Sequence, residues 1–144
     1  MPESIRSAKS LWIEAGSLSG ELRNQLEFSD ELVQFFDDES RSRKKVLIRC
    51  PDGLDRERPL AHRGTKHHYT DIWRLGLPTP DMGAPNYQGR VVRIDRIRVR
   101  DKVAYEVTVE DTDSDKAQQW RERAGREGVT GTTGGARGRA YGYW

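Results

Sequence analysis

Three histidines, one cysteine and a handful of serines are the residues of this 144-residue chain whose types could carry catalysis or bind a metal, and their spacing argues against both. His67 and His68 are adjacent, so on a strand they face opposite sides. His62 and His68 can share a face, but no carboxylate or cysteine stands at a recognised ligand spacing from them. A lone Cys50 excludes a disulfide framework and a cysteine-based zinc site within one chain. Beside the turn Pro51-Asp52-Gly53 it reads as a small buried hydrophobe in a strand. Ser10, Ser17 and Ser19 have no nearby histidine to act as base. A phospho-histidine nuclease needs His-x-Lys, which neither His62-Arg63-Gly64 nor His68-Tyr69-Thr70 provides. The glycine-rich run Gly131 to Gly138 lacks the strand before it and the helix after it that a phosphate loop requires. The expectation is a chain with no active site, no metal and no cofactor.

Recognition is the chemistry that remains. The net charge of +2 hides an asymmetry: residues 1–40 carry a balance of −6, and residues 41–144 a balance of +8. Most of the cations are arginines, whose planar fork of donors suits phosphates and guanine edges. Arg23, Asn24 and Gln25 follow a loop, Gly16 to Gly20, that contains Ser19 and has a glycine at each end. Arginine grips guanine, and asparagine or glutamine grips adenine, through paired hydrogen bonds. On a strand Arg23 and Gln25 share a face while Asn24 braces the loop. Arg23 is therefore the expected DNA contact, with Gln25 in support. Further candidate contacts sit in polar segments: Arg41, Arg43 and Lys44 before one strand, then Arg63, Lys66 and His67 in the histidine-bearing stretch. Arg137 and Arg139 lie near the end of the chain.

The elements that must hold these residues are short. Strands are expected over Ser7 to Ala15, Asn24 to Phe28, Lys45 to Cys50, Trp73 to Leu77 and, as a pair, Tyr87 to Glu110. Ser29 can cap a helix over Asp30 to Phe36, and Thr112 or Asp113 one running to about Arg126, with Ala117, Trp120 and Ala124 as its apolar face. Gly128 is its natural stop. Gly138 to Trp144 reads as a closing strand. Arg56 to Asp71 is nearly free of aliphatic residues and is left unassigned. Six or seven short strands with two short helices point to a small barrel or pseudobarrel, mainly β, in a single domain spanning 1–144.

One register is specific enough to test. In Arg96 to Arg100, Ile97 and Val99 face one way and the arginines the other. A three-residue loop Asp101-Lys102-Val103 sets Val99 against Tyr105, Ile97 against Val107 and Arg98 against Glu106, keeping apolar residues together. The arginine row then reads as a solvated face with cross-strand ion pairs.

Four segments together resemble a known family. Ser10 to Gly20 with Arg23 to Phe28 is similar to the start of the C-terminal domain of NgoFVII/BfiI-type restriction endonucleases. Lys45 to Cys50, Trp73 to Pro78 and Tyr87 to Gly89 resemble its middle. Asp113 to Trp120 resembles its late helix, and Gly131 to Gly135 with Gly138 to Trp144 its close. The resemblance implies a B-three-like open pseudobarrel that recognises double-stranded DNA with two arms entering the major groove from one side. It also implies a target-recognition module, fragment or stand-alone, whose partner is a phospholipase-D-like nuclease domain or subunit. A reader of RNA or of a modified base, stacking it on Tyr69, Trp73 or Tyr87, is one alternative. A protein-interaction module using the acidic first forty residues is another. No apolar run reaches transmembrane length and no basic-then-apolar leader opens the chain, so a cytoplasmic protein away from membranes is expected.

Overall fold

A computed structural model describes residues 5–16, 24–29, 31–36, 44–62, 72–133 and 138–144. Among the described residues nine strands form one sheet, curled into a half-barrel, and one α-helix lies on its outer face. The strands are β1 (Ser10–Glu14), β2 (Gln25–Ser29), β3 (Lys44–Arg49), β4 (Asp55–His62), β5 (Ile72–Gly76), β6 (Arg90–Val99), β7 (Lys102–Asp111), β8 (Val129–Thr132) and β9 (Ala140–Tyr143). Their order across the sheet is β2-β5-β4-β3-β7-β6-β1-β9-β8. All neighbours are antiparallel except β3 and β7, which run parallel and pair only at Ile48–Tyr105 and Arg49–Glu106.

The continuous apolar run Leu11-Trp12-Ile13 marks a strand buried on both faces. Leu11 and Ile13 enter the main core inside the curl, with Leu26, Phe28, Ile48, Leu60, Trp73, Leu75, Val92, Ile94 and Tyr105. Trp12 points out, into a second and smaller core beneath helix α1 (Asp115–Glu127). That helix buries Ala117, Trp120 and Ala124, as their helical spacing requires. Its cap is Ser114, whose Oγ accepts from the amide of Ala117 at 3.1 Å, one or two residues later than the sequence suggested. Gly128 ends it for a steric reason: a Cβ there would stand 1.8 Å from the carbonyl oxygen of Tyr143.

Three expectations are corrected. The helix expected over Asp30 to Phe36 is a five-residue 3-10 helix, Leu32–Phe36, so the described residues hold one α-helix rather than two. Ser29 does accept from the amide of Leu32, at 3.3 Å, but four of the five residues that follow are buried, and five residues are too few for α-helical turns. Two strands are additional. β4 hides its signal because only Leu60 and Ala61 of its eight residues are apolar and buried and Pro59 interrupts it; β8 is the four-residue edge strand Val-Thr-Gly-Thr.

The third correction is the β6–β7 register. The turn is the two-residue Arg100-Asp101, both with positive φ (49° and 66°), and it sets Val99 against Lys102, Arg98 against Val103 and Arg96 against Tyr105. Two-residue hairpins favour this left-handed pair because its twist matches the strands. The register is fixed further along, where Val92 meets Val109 and Ile94 meets Val107 on the inner face. Arg96 and Arg98 share that face with Val92 and Ile94. The arginine row therefore points to the concave side of the sheet, and Ile97 and Val99 to the convex side.

Candidate functional site

Strand pairing sorts the ends of the elements onto two rims. The lower rim holds the starts of β1, β3 and β5, the ends of β2 and β4, and the β6–β7 turn. The upper rim holds the end of β1, the start of β2, the β3–β4 turn and the start of β9.

At the lower rim, β3 and β7 part below Ile48 and Tyr105 and leave a cleft of about 510 Å³. Arg6, Lys45, Arg96 and Arg98 supply its cations, and Phe36, Val46, Leu47, Val103 and Tyr105 its apolar surface. None of these nine lining residues is acidic. Arg96 is fixed: its guanidinium donates to the carbonyls of Arg6 (2.8 Å) and Phe35 and lies 4.9 Å over the Phe35 ring. It thereby ties β6 to the two 3-10 helices, Ile5–Ser7 and Leu32–Phe36, that pack together at this opening. Its acceptors are neutral carbonyls, so they leave its charge in place. Arg6 donates from Nε to Gln34 Oε1 at 3.3 Å. Lys45 reaches Glu57 at 4.0 Å, an exposed pair of little strength. Arg98 is exposed opposite Val103, so the expected pair with Glu106 does not form; Asp95 stands opposite Glu106 instead. Val103 is 45% exposed, a state it shares with Leu54 alone of the large apolar residues among the described ones.

The upper rim is bridged by an arginine. Arg139 donates to the carbonyl of Glu14 on β1 (3.3 Å) and of Glu27 on β2 (2.7 Å), strands that are not neighbours in the sheet. Its own amide donates to Thr133 Oγ1 at 2.8 Å, and the next amide, of Ala140, to Glu14 Oε1 at 2.8 Å. Burial holds its basicity below that of a free arginine, with Glu27 and Glu14 acting the other way. Gly16, at φ +70°, keeps the neighbouring backbone clear: a Cβ there would lie 3.2 Å from Arg139 Cδ. Nearby, Tyr87 is buried and donates to the carbonyl of Pro78 at 2.6 Å; desolvation pushes its phenol well above the usual tyrosine range.

The sequence-predicted contacts fall on both rims. Asn24 and Gln25 lie at the upper rim, half-buried; the Asn24 carbonyl accepts from the amide of Leu77 at 2.8 Å, and Gln25 pairs with Gly76. Arg139 joins them there as the tie just described. Lys44 opens β3 at the lower rim, opposite Leu60. Ser19, Arg23, Arg41 and Arg43 lie outside the described residues, as do Arg63, Lys66, His67 and Arg137. The two groups are separated by the length of a strand, roughly 15 Å for five residues. Arg6, Lys45, Arg96, Arg98 and Val103 were missed. The arginine row was visible in the sequence, but the assumed register sent it to the solvent face.

Trp73 and Tyr87, two of the three aromatics considered as stacking platforms, are core residues; Tyr69 lies outside the described residues. Cys50 is buried, its Sγ 3.8 Å from the Ile48 carbonyl. Among the described residues no three His, Cys, Asp or Glu side chains converge on a metal position, and no helix is long and apolar enough to cross a membrane. Comparison with protein-family models, curated proteins and solved structures returned no match.

Proposed function

We propose that this chain is a double-stranded DNA-binding domain, the target-recognition part of a restriction endonuclease, on a B-three-like pseudobarrel. The observation that carries the reading is the lower rim: a cleft bordered by Arg6, Lys45, Arg96 and Arg98 with no carboxylate among its described lining residues. The β6–β7 turn extends it with the exposed Arg100 and Lys102, against the single carboxylate of Asp101. Arg96, held by neutral carbonyls, and Arg98, exposed at the cleft edge, keep their attraction for phosphate. Arginine forks on a rigid strand also suit the reading of base edges. The sequence resemblance supplies the class of system, with a nuclease domain or subunit as partner and no catalytic role for this chain. The burial of Trp73 and Tyr87 disfavours the alternative in which they stack on unpaired RNA bases.

The test is a binding selection on randomised duplexes followed by salt titration. The expected result is an enriched sequence, bound with an affinity that falls steeply with salt, by a slope of about 0.9 per phosphate contact. Weak binding of all duplexes alike would remove the recognition role. Salt-insensitive or absent binding would remove the nucleic-acid reading and leave the protein-interaction alternative.

A further inference from the structure

The β6–β7 hairpin outruns its neighbours at the lower rim. β1 pairs with β6 only as far as Asp95, and β3 pairs with β7 only at Tyr105 and Glu106. Among the described strands, Ile97 to Val99 and Lys102 to Ala104 therefore pair with each other alone. They form a two-stranded ribbon about 10 Å long, at ~3.3 Å per residue, closed by Arg100-Asp101. Its cations point in three directions. Arg98 shares the concave side with Val103, Lys102 shares the convex side with Val99, and Arg100 occupies the tip. All three are exposed, and none has a hydrogen bond or ion pair among the described residues. Arg100 is the anomaly. Its φ of 49° lies in the left-handed region, which side chains other than those of Asn and Asp rarely adopt. Two-residue hairpin turns place Asn, Asp or Gly at this first central position. Asp101 at the second position obeys that preference, at φ 66°, and Arg100 breaks it. The strain at Arg100 brings no contact within the described fold, the mark of a side chain placed for a partner.

We infer that this ribbon is a reading arm that enters the major groove of double-stranded DNA tip first, Arg100 donating to O6 and N7 of one guanine while Arg98 and Lys102 meet phosphates on the two groove walls. The inference rests on the DNA-binding reading and deepens it. Width selects the groove: a two-stranded ribbon fits the major groove, about 12 Å wide, and not the minor groove, about 6 Å wide. Reach agrees, because the major groove is about 8.5 Å deep, less than the length of the ribbon. The two faces of the inserted ribbon look toward opposite backbones, and each carries a cation. Asp101, the one carboxylate of residues 97–104, then lies deepest, away from the phosphates, where it can accept from a cytosine amino group.

The experiment pairs thermal melting with binding to the selected duplex and to scrambled ones. Arg100→Asn suits the left-handed turn better than the wild type, so its melting temperature should rise by about 2–4 °C. Its affinity for the selected duplex should nevertheless fall by about tenfold or more, with loss of the preference for one guanine. Arg100→Lys keeps the charge without the fork, so it should bind scrambled duplex as the wild type does and lose the same preference. Replacing that guanine by 7-deazaguanine, which lacks the N7 acceptor, should weaken the wild type and leave Arg100→Asn unchanged. Wild-type affinity in Arg100→Asn, or an equal loss on selected and scrambled duplexes, overturns the reading arm and leaves DNA binding standing. Indifference of the wild type to 7-deazaguanine at every guanine of the site does the same, since the contact would then lie outside the major groove. A lower melting temperature in Arg100→Asn would make Arg100 a support of the turn itself, against the inference. Failure of the wild type to bind any DNA removes the underlying reading.

Discussion

Arg139 at the upper rim and Arg98 at the lower rim are the same side chain put to opposite uses. Arg139 is spent on the protein: two carbonyls from β1 and β2 take its donors, and burial lowers its basicity. Arg98 has no hydrogen bond or ion pair among the described residues and stands exposed at the edge of a cleft. Arg96 lies between the extremes, tied through its donors yet charged at the same cleft. The difference teaches that a basic composition does not locate an interface. What locates it is which cations have neutral or absent partners, and that depends on which backbone carbonyls the fold brings within reach.

The comparison can be broken most severely at Arg139. Arg139→Ala strips two carbonyls of a charged donor across the open seam of the sheet, and should cost about 3 kcal/mol in urea unfolding. Arg139→Lys should recover little, because a point ammonium cannot span both acceptors. An unchanged stability together with a uniform loss of DNA affinity would make Arg139 a contact and the upper rim the binding surface.

A smaller effect is expected at Tyr87. Tyr87→Phe leaves the Pro78 carbonyl unpaired and should cost about 1–2 kcal/mol near neutral pH. Its pH dependence is the sharper observable. The phenol ionises at a higher pH in the folded chain than in the unfolded one, where the ordinary value is about 10. Its stabilising contribution is therefore complete below pH ~10 and is lost as pH rises toward the folded value. The wild type should lose stability above pH ~10 more steeply than Tyr87→Phe. Parallel profiles would mean that the upper end is open to solvent.

Smallest in stability, and most informative for function, is Arg98→Ala. It should change unfolding free energy by less than about 0.5 kcal/mol, as a substitution at an exposed site does. The salt slope of DNA binding should fall by about one if Arg98 meets a phosphate; if it reads a base, ~1–3 kcal/mol of preference at one position should go. Arg23→Ala, next to the upper-rim Asn24, is the matching control. If Arg23→Ala weakens binding and Arg98→Ala does not, the interface belongs to the upper rim.

Much of the scaffold was legible in the chain because local patterns and tertiary needs agree there. Leu11-Trp12-Ile13 announces a strand buried on both faces. Ala117, Trp120 and Ala124 announce a helix face, and Tyr141 with Tyr143 a closing strand against β1. A mainly β fold follows from the short apolar clusters outside that helix, whose spacing suits short strands. β4 was not legible, because its place comes from its partners: Lys44 to Arg49 on one side and Leu75 to Trp73 on the other supply the ladder that its own polar residues do not advertise.

The candidate site lay beyond the sequence for a physical reason that one hairpin makes plain. A strand alternates faces with a period of two, so a wrong turn register reverses what every side chain sees. The composition of Arg96 to Val103 said that arginines and aliphatic residues alternate; it could not say which set looks into the barrel. That choice was made by Val92, Ile94, Val107 and Val109, which must meet in the core, and by a two-residue turn that accepts positive φ at Arg100 and Asp101. The sequence by itself determined the strand-rich class, the helix and the excess of cations after residue 40. Only the tertiary structure decided which arginines are bound to carbonyls and which face a cleft, because carbonyls from β1, β2 and the 3-10 helices approach those guanidinium groups only once the sheet has curled.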